Sequence, residues 1–177
     1  RNLAGSSLVR YATERSDSLL KGYVKHGRRV GMLLSDVVGN ARGIQLRLAR
    51  PKIADENSQT SLKGSAVKGA YFGHPELIEG APLILVAEGM ADTLALHLWA
   101  PASAVVIGAA GIGNLPVLAE SLKAANIPIE GKTFALFTQN DKPVNKSRKK
   151  FVQLQQLLVE AGAQVVICNT DKDFEDL

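Results

Sequence analysis

LILVAEGMADTLAL (83–96) is the stretch that decides the fold. Leu83 to Ala87 form a continuous apolar run of the kind buried on both faces of a parallel sheet. Ala91, Leu94, Ala95 and Leu98 then recur at helical spacing. Between strand and helix stands an acid, Glu88, followed by Gly89.

Toward the C-terminus the same alternation repeats. SAVVIG (103–108) reads as a second strand. Asn114 is placed to cap the next helix, with Pro116 in its first turn and Leu115, Leu118, Ala119 and Leu122 on one face. Thr133 to Phe137 is a third strand. Phe151, Leu154, Leu158 and Ala161 mark another helix, which Gly162 can close, and Gln164 to Cys168 is a fourth strand. Strict strand–helix alternation implies an α/β fold with a mostly parallel sheet and helices on both faces. GAAGIG (108–113) has the wrong glycine spacing for a dinucleotide loop and reads as a strand-to-helix turn.

Toward the N-terminus the text changes near residue 82. Residues 1–82 read as a small, strand-rich subdomain and residues 83–177 as the α/β domain. In GMLLSDVVGNARGIQLRLARPK (31–52), Ile44, Leu46 and Leu48 alternate with Gln45 and Arg47, as in a half-buried strand, and Gly39-Asn40 suggests a turn. ADENSQTS (54–61) reads as an exposed loop, SLKGSAVKGAYFG (61–73) as a strand and turn, and 13–25 as a short helix capped by Thr13 or Ser16.

Bulk properties narrow the function classes. With 177 residues and 46% hydrophobic content the chain can build one sizeable core. It has no apolar run long enough to span a membrane and nothing that reads as a signal peptide, so the cytoplasm is the expected compartment and no membrane partner is expected. It starts at Arg1, which suggests a piece of a longer protein. The single cysteine, Cys168, excludes an internal disulfide and a cysteine-rich zinc module, and its apolar neighbours suggest a buried thiol. Residues 1–82 hold 13 Lys/Arg against 7 Asp/Glu, whereas residues 83–177 hold 8 against 10. A basic half beside a mildly acidic one suits a polyanion held next to a metal site, and also ordinary surface variation. With aromatic content at 5%, extensive base stacking is not the expected binding mode, and Trp99 is expected in the core. His26, His74 and His97 show no ligand spacing.

Acids follow three of the strands: Glu88 after LILVA, Asp141 after TFALF, and Asp171 and Asp173 after QVVIC. Parallel connectivity carries these strand ends to one edge, where ligand sites of such sheets collect. One acid there commonly caps a helix or faces water. Three clusters on one edge repel each other unless they share a cation, and carboxylate oxygen suits Mg²⁺ or Mn²⁺. Asp92, four residues after Glu88, is favoured by the helix dipole in any case.

LILVAEGMADTLAL, FALFTQNDKP (134–143), KDFEDL (172–177), SLKGSAVKGAYFG and AAGIGNLPVLAESLK (109–123) together resemble the Toprim-domain DNA primases of bacteria, phages and conjugative plasmids, over about residues 30–177. The resemblance implies a Toprim fold and metal-dependent nucleotidyl transfer, making RNA primers on single-stranded DNA from NTPs with Mg²⁺ or Mn²⁺. It implies that Glu88 and Asp141 are catalytic. It also implies that Glu88, Asp141 and Asp173, with Asp92 and Asp171 in support, surround the metal. Lys63 and Lys68 match basic positions for nucleotide or template. Lys142, Lys146 and Arg148, in KPVNKSRKK (142–150), crowd a helix start, as a solvated face or as a contact for a phosphate backbone. A replicative helicase or further domains are the expected protein partners. The family's first aspartate in Asp-x-Asp is Gln139 here, which removes a full charge from the metal site, and Val144 stands where a glycine is usual. Two other readings use the same residues: a Toprim nuclease or topoisomerase fragment, and a degenerate DNA-binding or docking module.

Overall fold

A turn built by Asp36 starts the antiparallel half of the sheet. Its carboxylate accepts the backbone N–H of Val38 and Asn40 and the side-chain amide of Asn40, the local bonding that favours aspartate in turns. Gly39 supplies the positive φ (89°). The turn joins β2 (Arg28–Ser35) to β3 (Ala41–Leu48), with β1 (Val9–Tyr11) on the other side of β2. The computed structural model describes residues 9–11, 23, 27–49, 57, 59–139 and 146–170. The expected helix at 13–25 lies outside these apart from Tyr23.

β3 departs from the half-buried pattern its alternation predicts. Gln45 is buried along with Leu46, because it stands opposite Met32 of β2, on a face that packs against the start of the first helix of the α/β half. The expected loop at 54–61 is also corrected at its end. Gln59–Ser61 form β4, paired antiparallel with β3. Of its three polar residues only Thr60 favours a strand by itself, so the pairing partner makes this one. The chain then turns back along β3, where Leu62 N–H donates to Ile44 O and Ala66 N–H to Arg42 O. β5 (Tyr71–Gly73) bridges the halves, pairing antiparallel with β2 through one residue pair and with Ile107, Gly108 and Ala109 of the parallel half through three.

Beyond a 3₁₀ turn (Pro75–Gly80) come β6 (Leu83–Ala87), α1 (Met90–Trp99), β7 (Ala104–Ala109), α2 (Asn114–Ala124), β8 (Thr133–Gln139), α3 (Lys146–Glu160) and β9 (Gln164–Thr170). Lys132 Nζ donates to Glu79 O and Ala81 O, fastening the 3₁₀ turn to the start of β8. The four last strands are parallel, and one sheet of nine strands runs β4-β3-β2-β5-β7-β6-β8-β9, with β1 beside β2. Alternate residues of the central strands point to opposite faces. Ile84, Val86, Ile107, Phe134 and Leu136 meet Leu115, Leu118 and Leu122 of α2 and Phe151, Leu154 and Leu158 of α3. Leu85, Ala87, Val106 and Ala135 meet Leu96 of α1. The sheet is thus covered on both faces, as expected. Each such large side chain contributes about 1.5–3 kcal/mol by burial.

Three details differ from expectation. The inward face of α1 is Met90, Thr93 and Leu96, and Leu98 is exposed. Trp99, at the end of α1, is 78% exposed. Cys168 is half-buried against the α1 side of the sheet rather than enclosed, although burial still pushes its thiol pKa up.

Candidate active site

The α/β half contains a point where the connections part. From β6 the chain crosses by α1 to β7 on one side, and from β8 it crosses by α3 to β9 on the other. β6 and β8 are neighbours, so their carboxyl ends flank a crevice of the kind in which open α/β sheets bind ligands. Glu88, half-buried, directly succeeds β6 at this point. The ends of β8 and β9 are tied there by Thr138 Oγ1 donating to Asn169 Oδ1 at 2.8 Å, and Gln139 pairs with Thr170 as the strands finish.

Close packing fixes the helix start that Glu88 leads into. Gly89 caps α1 in an extended conformation, and Met90 is fully buried among Met32, Leu34, Ala70, Phe72 and Ala110. Thr93 is also fully buried, with its hydroxyl donating to Gly89 O. This turn of helix rests on β7 because Gly108 has no side chain. A Cβ there would lie 1.7 Å from Thr93 Oγ1 and 3.2 Å from Gly89 O. Asp92 lies on the first turn of α1, where the positive helix end favours a carboxylate. A Cβ on Gly89 would be 3.9 Å from both Asp92 Oδ2 and Gln59 Nε2. The antiparallel lobe therefore reaches the acidic corner through Gln59.

Asn114 organises the adjoining basic loop. The expected capping role is not observed: Gly113 is the N-cap of α2, and Asn114 is the helix's first residue and makes no side-chain cap. Its carboxamide instead accepts from Gly69 N–H (2.9 Å) and donates to Val67 O (2.8 Å) and Ala110 O (3.3 Å). Val67 and Lys68 are thereby set against the Ala110–Asn114 turn around a hollow of about 480 Å³. Lys63 and Lys68 are both exposed on this loop, and Lys63 N–H donates to the hydroxyl of Tyr23. GAAGIG is the strand-to-helix turn its spacing suggests, with Gly111 at φ 108°.

Glu88 ends the β6 side of the turn and Asp92 lies in the first turn of α1, with the lysine loop against the turn that follows the neighbouring strand β7. Arg148 lies exposed in the first turns of α3, whose N-terminus is at the same sheet edge. Of Lys146 only the backbone, at the helix start, is described. Asp141, Lys142, Asp171 and Asp173 lie outside the described residues. Among the described residues no group of three or more His, Cys, Asp or Glu side chains is placed to hold a metal ion. The two described carboxylates are hard oxygen donors, the type Mg²⁺ and Mn²⁺ take. His74 is bonded to Glu76 on the surface. Gly108, Thr93, Gln59 and the bridging role of Asn114 escaped the sequence reading. Each acts across a contact distant in sequence, and no local pattern signals it.

No family model matches the chain, and no curated protein matches it. Solved structures do. The zinc-binding and RNA polymerase domains of the Aquifex aeolicus primase align with a TM-score of 0.55 at 18% identity, over 84% of this chain and 36% of that one. A DnaG primase catalytic domain bound to single-stranded DNA gives a TM-score of 0.60 at 14% identity, over 96% and 60%. A chain of a bacteriophage T7 assembly aligns with a TM-score of 0.56 at 19% identity, over 97% and 85%. That assembly contains lagging-strand DNA polymerase and primase domains bound to an RNA/DNA hybrid and dTTP. The chain thus spans about a third to three-fifths of the first two. With its antiparallel lobe continuous with a four-stranded parallel sheet, this chain is similar in fold to the catalytic domains of DnaG-type primases.

Proposed function

We propose that this chain is the catalytic core of a DNA primase, which joins NTPs into an RNA primer on a single-stranded DNA template. One observation carries the reading: Glu88 stands at the crevice between β6 and β8, with the basic loop bearing Lys63 and Lys68 at the next strand end. In the joining step a 3′-hydroxyl oxygen bonds to the α-phosphorus of an NTP, and the bond from that phosphorus to pyrophosphate breaks. Glu88 takes the hydroxyl proton as general base. Asp141 and Asp173, with Asp92 and Asp171 in support, would join Glu88 in holding Mg²⁺ or Mn²⁺, which supplies positive charge toward the pyrophosphate. Lys63, Lys68, Lys142, Lys146 and Arg148 hold template and nucleotide phosphates, so binding weakens steeply with salt. The nucleic acids and dTTP in the T7 assembly, and the single-stranded DNA on the DnaG domain, support these ligand classes. A replicative helicase is the protein partner this reading suggests.

Primer synthesis from labelled NTPs on a single-stranded template tests it. Glu88→Gln should slow synthesis by about 10²–10⁴-fold, the usual contribution of a positioned acid or base. Undiminished synthesis by this variant would remove Glu88 from the chemistry.

A second reading is favoured by Gln139, which closes β8 with an amide where an acid is expected. A site short of one charge would act as a DNA-binding module without turnover. Titration with Mn²⁺ separates the two, since that module predicts no binding up to millimolar metal.

A further inference from the structure

The opposite edge of the sheet carries a second feature, unconnected with the nucleotidyl-transfer reading. The segment leading into β8 and the C-terminal ends of α2 and α3 enclose a groove of about 730 Å³. Ile127, Ile129 and Leu157 form its apolar floor, and Glu120, Glu130 and Glu160 stand on its rim with the cation Lys123. The chain as a whole carries a net charge of +4, so this acidic rim is locally of the wrong sign for a polyanion.

Helix electrostatics deepen that negative field. α3 has no basic residue in its last turn and ends on Glu160, although the C-terminal end of a helix favours cations. Glu130 leans on the same helix end, since a Cβ on Gly162 would meet its Cγ at 3.1 Å. Two carboxylates therefore crowd a helix end that is itself negative. Among the described residues no group of three or more His, Cys, Asp or Glu side chains is placed to hold a metal ion. A side-chain cation joined to apolar surface matches both the acidic rim and the apolar floor.

We propose that this groove docks a short basic segment of a partner protein, with lysine or arginine side chains at Glu120, Glu130 and Glu160 and an apolar side chain on the Ile127–Ile129–Leu157 floor. Because β8 begins at this edge and the Glu88 crevice lies at the other, the segment binds without blocking nucleic acid.

A fluorescein-labelled peptide of alternating lysine and leucine tests this by anisotropy against the full chain. Hydrogen exchange locates the contact. The expected result is binding with protection at Ile127–Ile129 and Leu157, and about tenfold weaker binding to the E120Q/E130Q/E160Q variant. Peptides with glutamate for lysine, or serine for leucine, should bind neither protein. Single-stranded oligonucleotide binding should be the same for both proteins. Equal peptide affinity for the variant, or protection confined to the Glu88 edge, would overturn the proposal. Self-association of the parent chain that the variant loses would assign the groove to a second copy and overturn it equally.

Discussion

Gly108→Ala is the sharpest perturbation of the acidic corner, because it adds one methyl group where the first turn of α1 lies on β7. The new carbon would stand 1.7 Å from Thr93 Oγ1 and 3.0 Å from Thr93 Cβ. Thr93 is fully buried and cannot swing into solvent, so the helix start has to lift by about an ångström. Forcing a methyl into a packed interior costs about 1–3 kcal/mol. Losing the Thr93–Gly89 hydrogen bond costs about 1 kcal/mol more. The expected destabilisation is thus about 2–4 kcal/mol, read as the shift in urea midpoint at unchanged slope. A displacement of that size at Glu88 should lower primer synthesis by about 10²-fold in protein that remains folded. Thr93→Ala removes the hydroxyl and leaves the milder contacts with the residue-93 Cβ (3.0 Å) and Gly89 O (3.2 Å), so the double variant should recover more than half of the lost stability. If Gly108→Ala were as stable and active as the parent, or if Thr93→Ala gave no recovery, the packing argument would be wrong.

Other expectations test separate contacts. Asn114→Ala should cost about 1–3 kcal/mol, since the half-buried Gly69 N–H and Val67 carbonyl lose their partner, and exchange at Gly69 should accelerate. Gln45 is 8% exposed and its Oε1 has no hydrogen-bond partner among the described residues, so Gln45→Met should leave stability unchanged or raise it by about 1 kcal/mol in a thermal melt. Burial, reinforced by Glu120 and opposed by the Ser121 hydroxyl, lifts the Tyr71 phenol to about 12. A raised pKa means the folded state holds its proton longer. The stabilisation is therefore complete below about pH 10 and lost as pH climbs toward 12, and Tyr71→Phe should flatten that alkaline decline in unfolding titrations. Asp36 behaves oppositely: burial raises its pKa, but the Asn40 side chain, the Asn40 and Val38 backbone and Arg42 together bring it below the usual value. Its contribution should fade as pH falls through the acid range, and Asp36→Asn should remove that dependence.

The parallel half was legible because its strands and helices write their burial into consecutive letters. LILVA, SAVVIG and the Leu115–Leu122 face each state a partner surface without naming it, and alternation supplies the topology. β4 was not legible: Gln59–Ser61 is polar and short, and only the neighbouring β3 makes it a strand. Trp99 misled because size suggests burial, whereas it is the last residue of α1 and stands exposed there. The inward face of α1 shifted to Thr93 because a glycine fifteen residues later, Gly108, lets a polar side chain come close. Of the candidate site, the strand-end rule picks out Glu88, which follows β6 directly, while Asp92 lies one turn further on in α1. Asn114 was visible as a polar residue at a helix start, but its true partners, Val67 and Gly69, are distant in the chain.

The last strand also shapes how the molecule behaves in bulk. Among the described residues β9 has a neighbour on one side only, and Val166 and Ile167 show 50% and 38% of their surface to water. Open ladder groups beside branched aliphatic side chains are a template on which another extended chain can grow. Concentrated preparations should therefore cloud through this rim first. A single lysine at position 166 is the smallest change that would keep the solution clear.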